Sequence, residues 1–471
     1  MKVVADAHET PLQTAQRALS LAGEGHVQVT VVRERSLMSR FARSAPTQAT
    51  AVEDTSVEIL VLRDGHAGLA ATNRLDGEAL RMTVRSANDA ARAAAHGGAG
   101  PHPGLAEPAA AAPGHGGFDE ATARLDPTQA GAALRTTFAV AAEHGLEAFG
   151  AWTAGAVRTA IASSRGAQLE EELTDSFMKV VCRDASGRSG YASATASSAG
   201  EIDPAAVAAR AASKVSAVTP ATLGPGSYPV VLEPEAVGVL LEFLGDLAFN
   251  GLAHVEGRGA LSGRLGASIA APAIDLTDAP RSARTLPRSF DLEAVPKATV
   301  TLIAGGVARG VVHDLRSAAL AGDGTSSTGH ATAPGGSPYG PSPTNLVLGG
   351  GDAADVAALC APIERGIYVT RLWYVNTVRD KETLLTGMTR EGTFLIEDGQ
   401  ISRPLRDVRF TDSVLRLLDA TEALTRERRL VSEGEFYGRR CAHGVLSPAL
   451  RADGFRVTGA TANQRIRASA G

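Results

Sequence analysis

Cysteine and aromatic residues are scarce in this sequence. Only three cysteines occur in 471 residues, and aromatics make up 4%. Cys182, Cys360 and Cys441 are odd in number, far apart and without a CxxC pair. That excludes a disulfide framework and fits a reducing, cytoplasmic setting. No apolar run approaches the roughly 18–20 residues that span a bilayer, so no membrane partner is expected. Residues 1–10 carry acidic and polar side chains where a signal peptide would need an apolar core. The net charge is −5 and no long Lys/Arg run exists, so a nucleic-acid partner has no electrostatic support. A G-x-S-x-G elbow, a P-loop and a G-x-G-x-x-G between strand and helix are all missing. Serine hydrolase and nucleotide-binding chemistry therefore lose their usual signals.

What is present describes a globular protein, with 44% hydrophobic and 21% charged residues. The length calls for two or three domains. With 51 Gly and 23 Pro, turns are frequent, which favours an α+β fold. Residues 1–95 read as an N-terminal α+β domain. Its helices fall at 10–23 and 76–95, and its strand candidates at 26–33, 57–63 and 66–72. The Gly/Pro/Ala tract 96–117 reads as a flexible linker. Its three histidines, His96, His102 and His115, form a metal tract only by composition. Residues 118–222 read as a central α+β domain with helices at 126–144 and 204–217. A Pro/Gly-rich boundary at 219–228 opens a C-terminal β-rich domain, 223–471, expected as a curved antiparallel sheet or barrel. Hairpin turns are expected at 304–306 and 397–399. The Gly/Ser/Pro stretch 322–343 is too long for a tight turn and reads as a loop.

Residues 233–249 form the most informative predicted helix. Val237, Leu240, Leu241, Leu244 and Ala248 mark a buried face, and Pro234 suits the first turn. Glu242 and Asp246 lie four apart, so they share the opposite face. They fit either a solvated acidic surface or a cation site. Near the C-terminus Cys441 and His443 would make a metal site conceivable if they met Asp246. His313, beside Asp314, is a turn residue or a catalytic base, and His330 has no evident partner. The run Arg371, Trp373, Tyr374 and Asn376 is the candidate substrate surface. Alternation would place Arg371 and Trp373 on one side and Tyr374 and Asn376 on the other. Such a strand pairs readily with an extended peptide, through backbone hydrogen bonds.

From about residue 225 onward the chain resembles the TldD/PmbA family. GVLLEFLGD at 238–246 lies where TldD-type subunits carry a zinc helix with the motif HExxxH. Aligned through the shared Gly, the two histidine positions hold Leu241 and Asp246, and Glu242 coincides with the glutamate. The segments EGR at 256–258 and SGRLG at 262–266 resemble the family's passage from helix to barrel. HDLRSA at 313–318, ERGIYVTRLWY at 364–374 and LLTGMTREG at 384–392 continue the likeness. LMSRFARS at 37–44 is similar to the family's N-terminal strand, and GVLSPALR at 444–451 to the final strand of TldE-type members.

The resemblance implies the TldE/PmbA-type subunit of a TldD/TldE metallopeptidase, with its zinc-ligand positions lost at Leu241 and Asp246. No cofactor is then expected in this chain. A TldD-like partner would supply zinc, and this chain would shape the cavity for unfolded or modified peptides. Two readings from other classes stand beside it. One is a stand-alone hydrolase tailoring a peptide-like intermediate in secondary metabolism. The other is a non-catalytic, peptide-binding homodimer.

Overall fold

The computed structural model describes residues 9–97, 100–109, 113–322, 324–432 and 439–460. Its N-terminal half runs α1 (Pro11–Ala22), β1 (His26–Ala42), β2 (Ala45–Arg63), β3 (His66–Thr72) and α2 (Gly77–His96). It continues α3 (Glu120–Ala123), α4 (Pro127–Glu143), β4 (Glu147–Ser163), β5 (Gln168–Arg183), β6 (Ser189–Ala196) and α5 (Pro204–Ala212). Helix starts follow local chemistry. Thr10 and Gln13 form a capping box before Pro11, while Asp76, Asp126 and Asp203 cap α2, α4 and α5.

The strands form one six-stranded antiparallel sheet, ordered β3-β2-β1-β4-β5-β6. Because β1 pairs directly with β4, the stretches 9–95 and 118–222 contribute strands to one continuous sheet. The short strands read from sequence fuse into long arms: β1 takes in both 26–33 and 37–42, and β4 runs unbroken for 17 residues. The described part of tract 96–117 departs from a solvated linker. Leu105 and Ala106 are buried, and the His102 amide donates to the Gly65 carbonyl. Its three histidines do not meet. His96 bonds the Arg92 carbonyl, His102 the Gly335 carbonyl, and His115 lies 3.4 Å from Glu171.

The C-terminal half begins β7 (Gly226–Leu232), α6 (Pro234–Ala248), α7 (Gly251–Val255), β8 (Leu276–Asp278), β9 (Val300–Ala304), β10 (Val307–Ala308), α8 (Leu315–Ala321) and β11 (Leu346–Leu348). It ends α9 (Val356–Cys360), β12 (Arg365–Arg379), β13 (Leu384–Glu397), β14 (Gln400–Pro404), β15 (Val408–Ser413), α10 (Val414–Asp419), β16 (Thr421–Val431) and β17 (Val445–Ala460). Strands β7, β12, β13, β15 and β17 pair in a ring that closes where β17 meets β7. Closure removes the free edges that an open sheet would expose. One neighbour pair, β7 with β12, is parallel. The turns at 304–306 and 397–399 form as expected, with Gly305, Gly306, Asp398 and Gly399 all at positive φ.

Between α7 and β11 the described chain is mostly irregular, interrupted by the short elements β8, β9, β10 and α8. Buried side chains replace the missing ladders. Asp291 accepts from the amides of Glu293, Val295 and Ala331, and the Asn345 side chain donates to Thr285 and the Leu286 carbonyl. The described part of loop 322–343 packs down rather than standing free, with His330 1% exposed.

Candidate functional site

Helix α6 sits at the centre of the C-terminal core. Its period places Val237, Leu240, Leu241, Leu244 and Ala248 inward, as the sequence predicts, and Leu241 has no exposed surface. Two glycines let its neighbours come close. A β-carbon on Gly238 would stand 3.0 Å from Val431, and one on Gly245 would stand 3.0 Å from Pro343. The two carboxylates of its outer face have parted company. Asp246 is exposed and accepts from the Ser342 hydroxyl at 2.7 Å. Glu242 is half-buried, with its Oε1 3.9 Å from Nε2 of His443.

Glu242 also lines a narrow cavity of about 20 Å³, the room of one water, with Glu235 and Val239 of α6 and Arg371 of β12. Arg371 is held on three sides. It pairs with Glu391 at 3.3 Å and lies 4.2 Å over the Tyr191 ring and 4.5 Å over Trp373. Glu391 in turn lines a larger cleft of about 480 Å³ between the β5–β6 turn and strands β13–β15. The Arg371–Glu391 pair therefore separates the two spaces. In the larger cleft, burial pushes the Asp407 carboxyl up to about 6.

The candidate peptide strand does not alternate as predicted. Tyr374 adopts a positive φ of 50°, and the β12–β13 register shifts between Trp373 and Asn376. This bulge buries Arg371 and Leu372 together, half-covers Trp373, and turns Tyr374 out at 71% exposure. The Trp373 Nε1 is buried without a hydrogen-bond partner among the described residues. Asn376 is exposed beyond the bulge and bonds the Tyr374 carbonyl.

Cys441 and His443 lie on the segment that enters β17. His443 donates through Nδ1–H to the Cys441 carbonyl at 2.9 Å, and its Nε2 faces Glu242. The Arg288 guanidinium stands 3.8 Å from the Cys441 sulfur. His313 lies elsewhere, against the start of α8. Its Nδ1 meets the Ser317 hydroxyl at 3.2 Å, and burial lowers its pKa. Structure thus joins Glu242, Arg371, Cys441 and His443 in one neighbourhood and leaves Asp246 and His313 outside it.

Several groups escaped the sequence reading. His330 does have a partner, Asp278, at 2.5 Å and fully buried. Glu233, at the N-cap of α6, binds Lys214 at 2.8 Å and accepts from the Tyr368 hydroxyl. Its burial favours the neutral acid, but Lys214 and Arg429 outweigh that and hold its pKa low. Arg440 enters the N-terminal sheet and binds both Asp175 oxygens at 2.7 Å. Each pair spans 19 residues or more in sequence, so no local spacing could have flagged it.

The donor set does not fit a zinc centre. Leu241 offers no lone pair and lies in the core, and Asp246 turns to Ser342. Among the described residues, no three His, Cys, Asp or Glu side chains converge as metal ligands. Also among them, no helix is long and apolar enough to cross a membrane.

Comparison with known proteins completes the description. A model described as the PmbA/TldA metallopeptidase C-terminal domain matches residues 225–459, and one for PmbA/TldA metallopeptidase domain 1 matches 27–94. A curated protein named metalloprotease, from Methanothermobacter thermautotrophicus, is 28% identical over 212 residues. That alignment spans 44% of this chain and 44% of the relative, less than half of its length. The crystal structure of TldE from Thermococcus kodakarensis matches with a TM-score of 0.82 at 19% identity, over 95% of this chain and all of that one. A protein described as a modulator of a DNA gyrase from Thermotoga maritima matches at 0.80 and 20% identity, over 95% and 100% of the two chains. At these identities the structural matches speak to fold.

Proposed function

The chain belongs to the PmbA/TldD family of metallopeptidases, and from that premise we propose that it is a subunit of the TldE type, which carries no zinc itself. A TldD-like partner supplies the metal, and this chain shapes the cavity that receives an unfolded or modified peptide in the cytoplasm. The observation that carries the reading is Leu241, a side chain with no ligating atom and no exposed surface at the position of the motif's first histidine. Glu242, aligned with the motif glutamate, is turned to His443 instead of to a pair of ligands. Tyr374, turned out by the β12 bulge, and the half-covered Trp373 are the peptide-facing groups of this proposal, with Arg371 buried behind them.

The test is the zinc content of the chain purified alone without a His-tag, with chelator-sensitive peptidase activity measured alone and with a TldD-type chain. Neither zinc nor such activity is expected alone, and both are expected on mixing. About one zinc per chain, lost on substituting Asp246 or Cys441, would overturn the proposal.

A further inference from the structure

In the irregular stretch between α7 and β11, two buried carboxylates are satisfied on one oxygen each. Glu293 is 2% exposed, and its Oε2 accepts from the Leu315 amide at 2.8 Å. Asp314 has no exposed surface, and its Oδ1 accepts from the Ser317 amide at 2.7 Å, capping α8. A backbone amide thus fixes the orientation of each carboxylate. The other oxygens, Glu293 Oε1 and Asp314 Oδ2, are buried without a hydrogen-bond partner among the described residues. Neighbouring Asp291 differs, because both its oxygens accept from amides and Lys297 favours its charge.

The two unpartnered oxygens border the same small space. A β-carbon on Gly336 would stand 3.3 Å from Asp314 Oδ2 and 3.5 Å from Glu293 Oε1. Apart from the residues flanking Gly336, the next described atom to that point is the Asp314 Cγ, at 4.0 Å. A single ion fits there. Gly335 and Gly336 both adopt positive φ, and His102 Nε2 meets the Gly335 carbonyl at 3.2 Å. That turn lays the bare Gly336 Cα over the carboxylates, and because Gly336 is half-buried the space lies just beneath the surface. Two imidazoles, His102 and His313, face Asp314, but burial lowers the pKa of both, so neither supplies a fixed charge at neutral pH. Two like charges with unpaired oxygens are costly in so dry a place unless a positive charge joins them.

We propose that Glu293 Oε1 and Asp314 Oδ2 are ligands of a hard divalent cation, calcium or magnesium, seated against Gly336. An all-oxygen donor set suits these cations. With two protein carboxylates the shell is completed by water, as magnesium in particular tolerates. The ion ties together three segments outside the regular strands: residues 291–297, the start of α8 and the loop at 333–336. That loop runs on to Ser342, which bonds Asp246 on the outer face of α6. The inference does not rest on the subunit assignment, since its ligands lie away from α6 and its test reads neither zinc nor peptidase activity.

The test titrates the full chain, stripped with EDTA and dialysed at neutral pH, with calcium chloride and magnesium chloride separately by calorimetry. One saturable site per chain is expected, and the salt that binds more tightly identifies the ion. Glu293→Gln and Asp314→Asn each keep an oxygen for the Leu315 and Ser317 amides but lose the charge, and Asn still caps α8. Each should weaken binding by more than about tenfold, the least that losing even an outer-shell partner costs a metal site, with circular dichroism unchanged. Tyr339, 83% exposed in the same loop, gives a second readout. The bound cation should slow chymotryptic cleavage there in the wild-type chain and in neither variant. Absence of a saturable site up to about 10 mM, beyond the range of the weakest calcium modules, would mean that a proton neutralises the pair and would overturn the proposal. Undiminished binding in either variant would overturn it too, because the ion would then sit elsewhere.

Discussion

Restoring the motif histidines to α6 gives the sharpest test of why this helix holds no zinc. Leu241 is fully buried, in a core with Leu240, Leu244, Phe249 and Phe455. Leu241→His exchanges similar volumes but loses about 1.5–3 kcal/mol of apolar burial. It also buries an imidazole without a partner, at about 1–3 kcal/mol more. The sum, roughly 2.5–6 kcal/mol, is a large fraction of an ordinary domain's 5–15 kcal/mol. Asp246→His loses only an exposed bond to Ser342 and should cost under about 1 kcal/mol. The double variant therefore recreates HExxxH in sequence but should be as unstable as Leu241→His and take up no zinc. Urea unfolding followed by fluorescence, with Trp373 reporting on the barrel, measures the first quantity, and elemental analysis the second. A double variant that binds one zinc and regains stability would refute the argument, because position 241 would then face an open site.

Arg440→Ala leaves Asp175, 2% exposed at its side chain, without its counter-charge and should cost about 3–5 kcal/mol by denaturant unfolding. Adding Asp175→Ala should recover part of that loss, and strict additivity would count against a coupled pair. Arg371→Lys keeps the charge but loses planar stacking on Tyr191 and Trp373; about 0.5–2 kcal/mol of stability should go, with KM for peptide raised in the assembled complex. Burial, with help from Lys297, holds His330 down at about 4 against 6.5 in an unfolded chain. Between those values only the unfolded state binds the proton, so stability is full above pH 6.5 and falls as pH drops towards 4, by about 3 kcal/mol in total. His330→Gln should flatten that slope in a pH series of unfolding curves.

Local signals in the sequence sufficed for the helices. Thr10, Asp76, Asp126 and Pro234 mark helix starts by chemistry that acts within three residues, and the structure places them as read. The apolar period of α6 likewise made its buried face legible, Leu241 included. Strands were legible as pieces but not as arms, because alternation breaks wherever a strand is buried on both faces, as in β4 and β5. The β12 bulge at Tyr374 defeated the alternation argument for the candidate peptide strand.

The motifs at 238–246, 313–318 and 364–392 were enough to point to the family, since they are stretches of contiguous sequence. Which groups share a site was a different matter. Glu242 and His443 are some 200 positions apart, and Arg288 reaches Cys441 across 153. Only the packing of the β17 entry segment between the N-terminal sheet and α6 brings them together. Spacing in a chain constrains what lies within a turn or two, whereas a charged cluster depends on which distant backbones the core forces into contact.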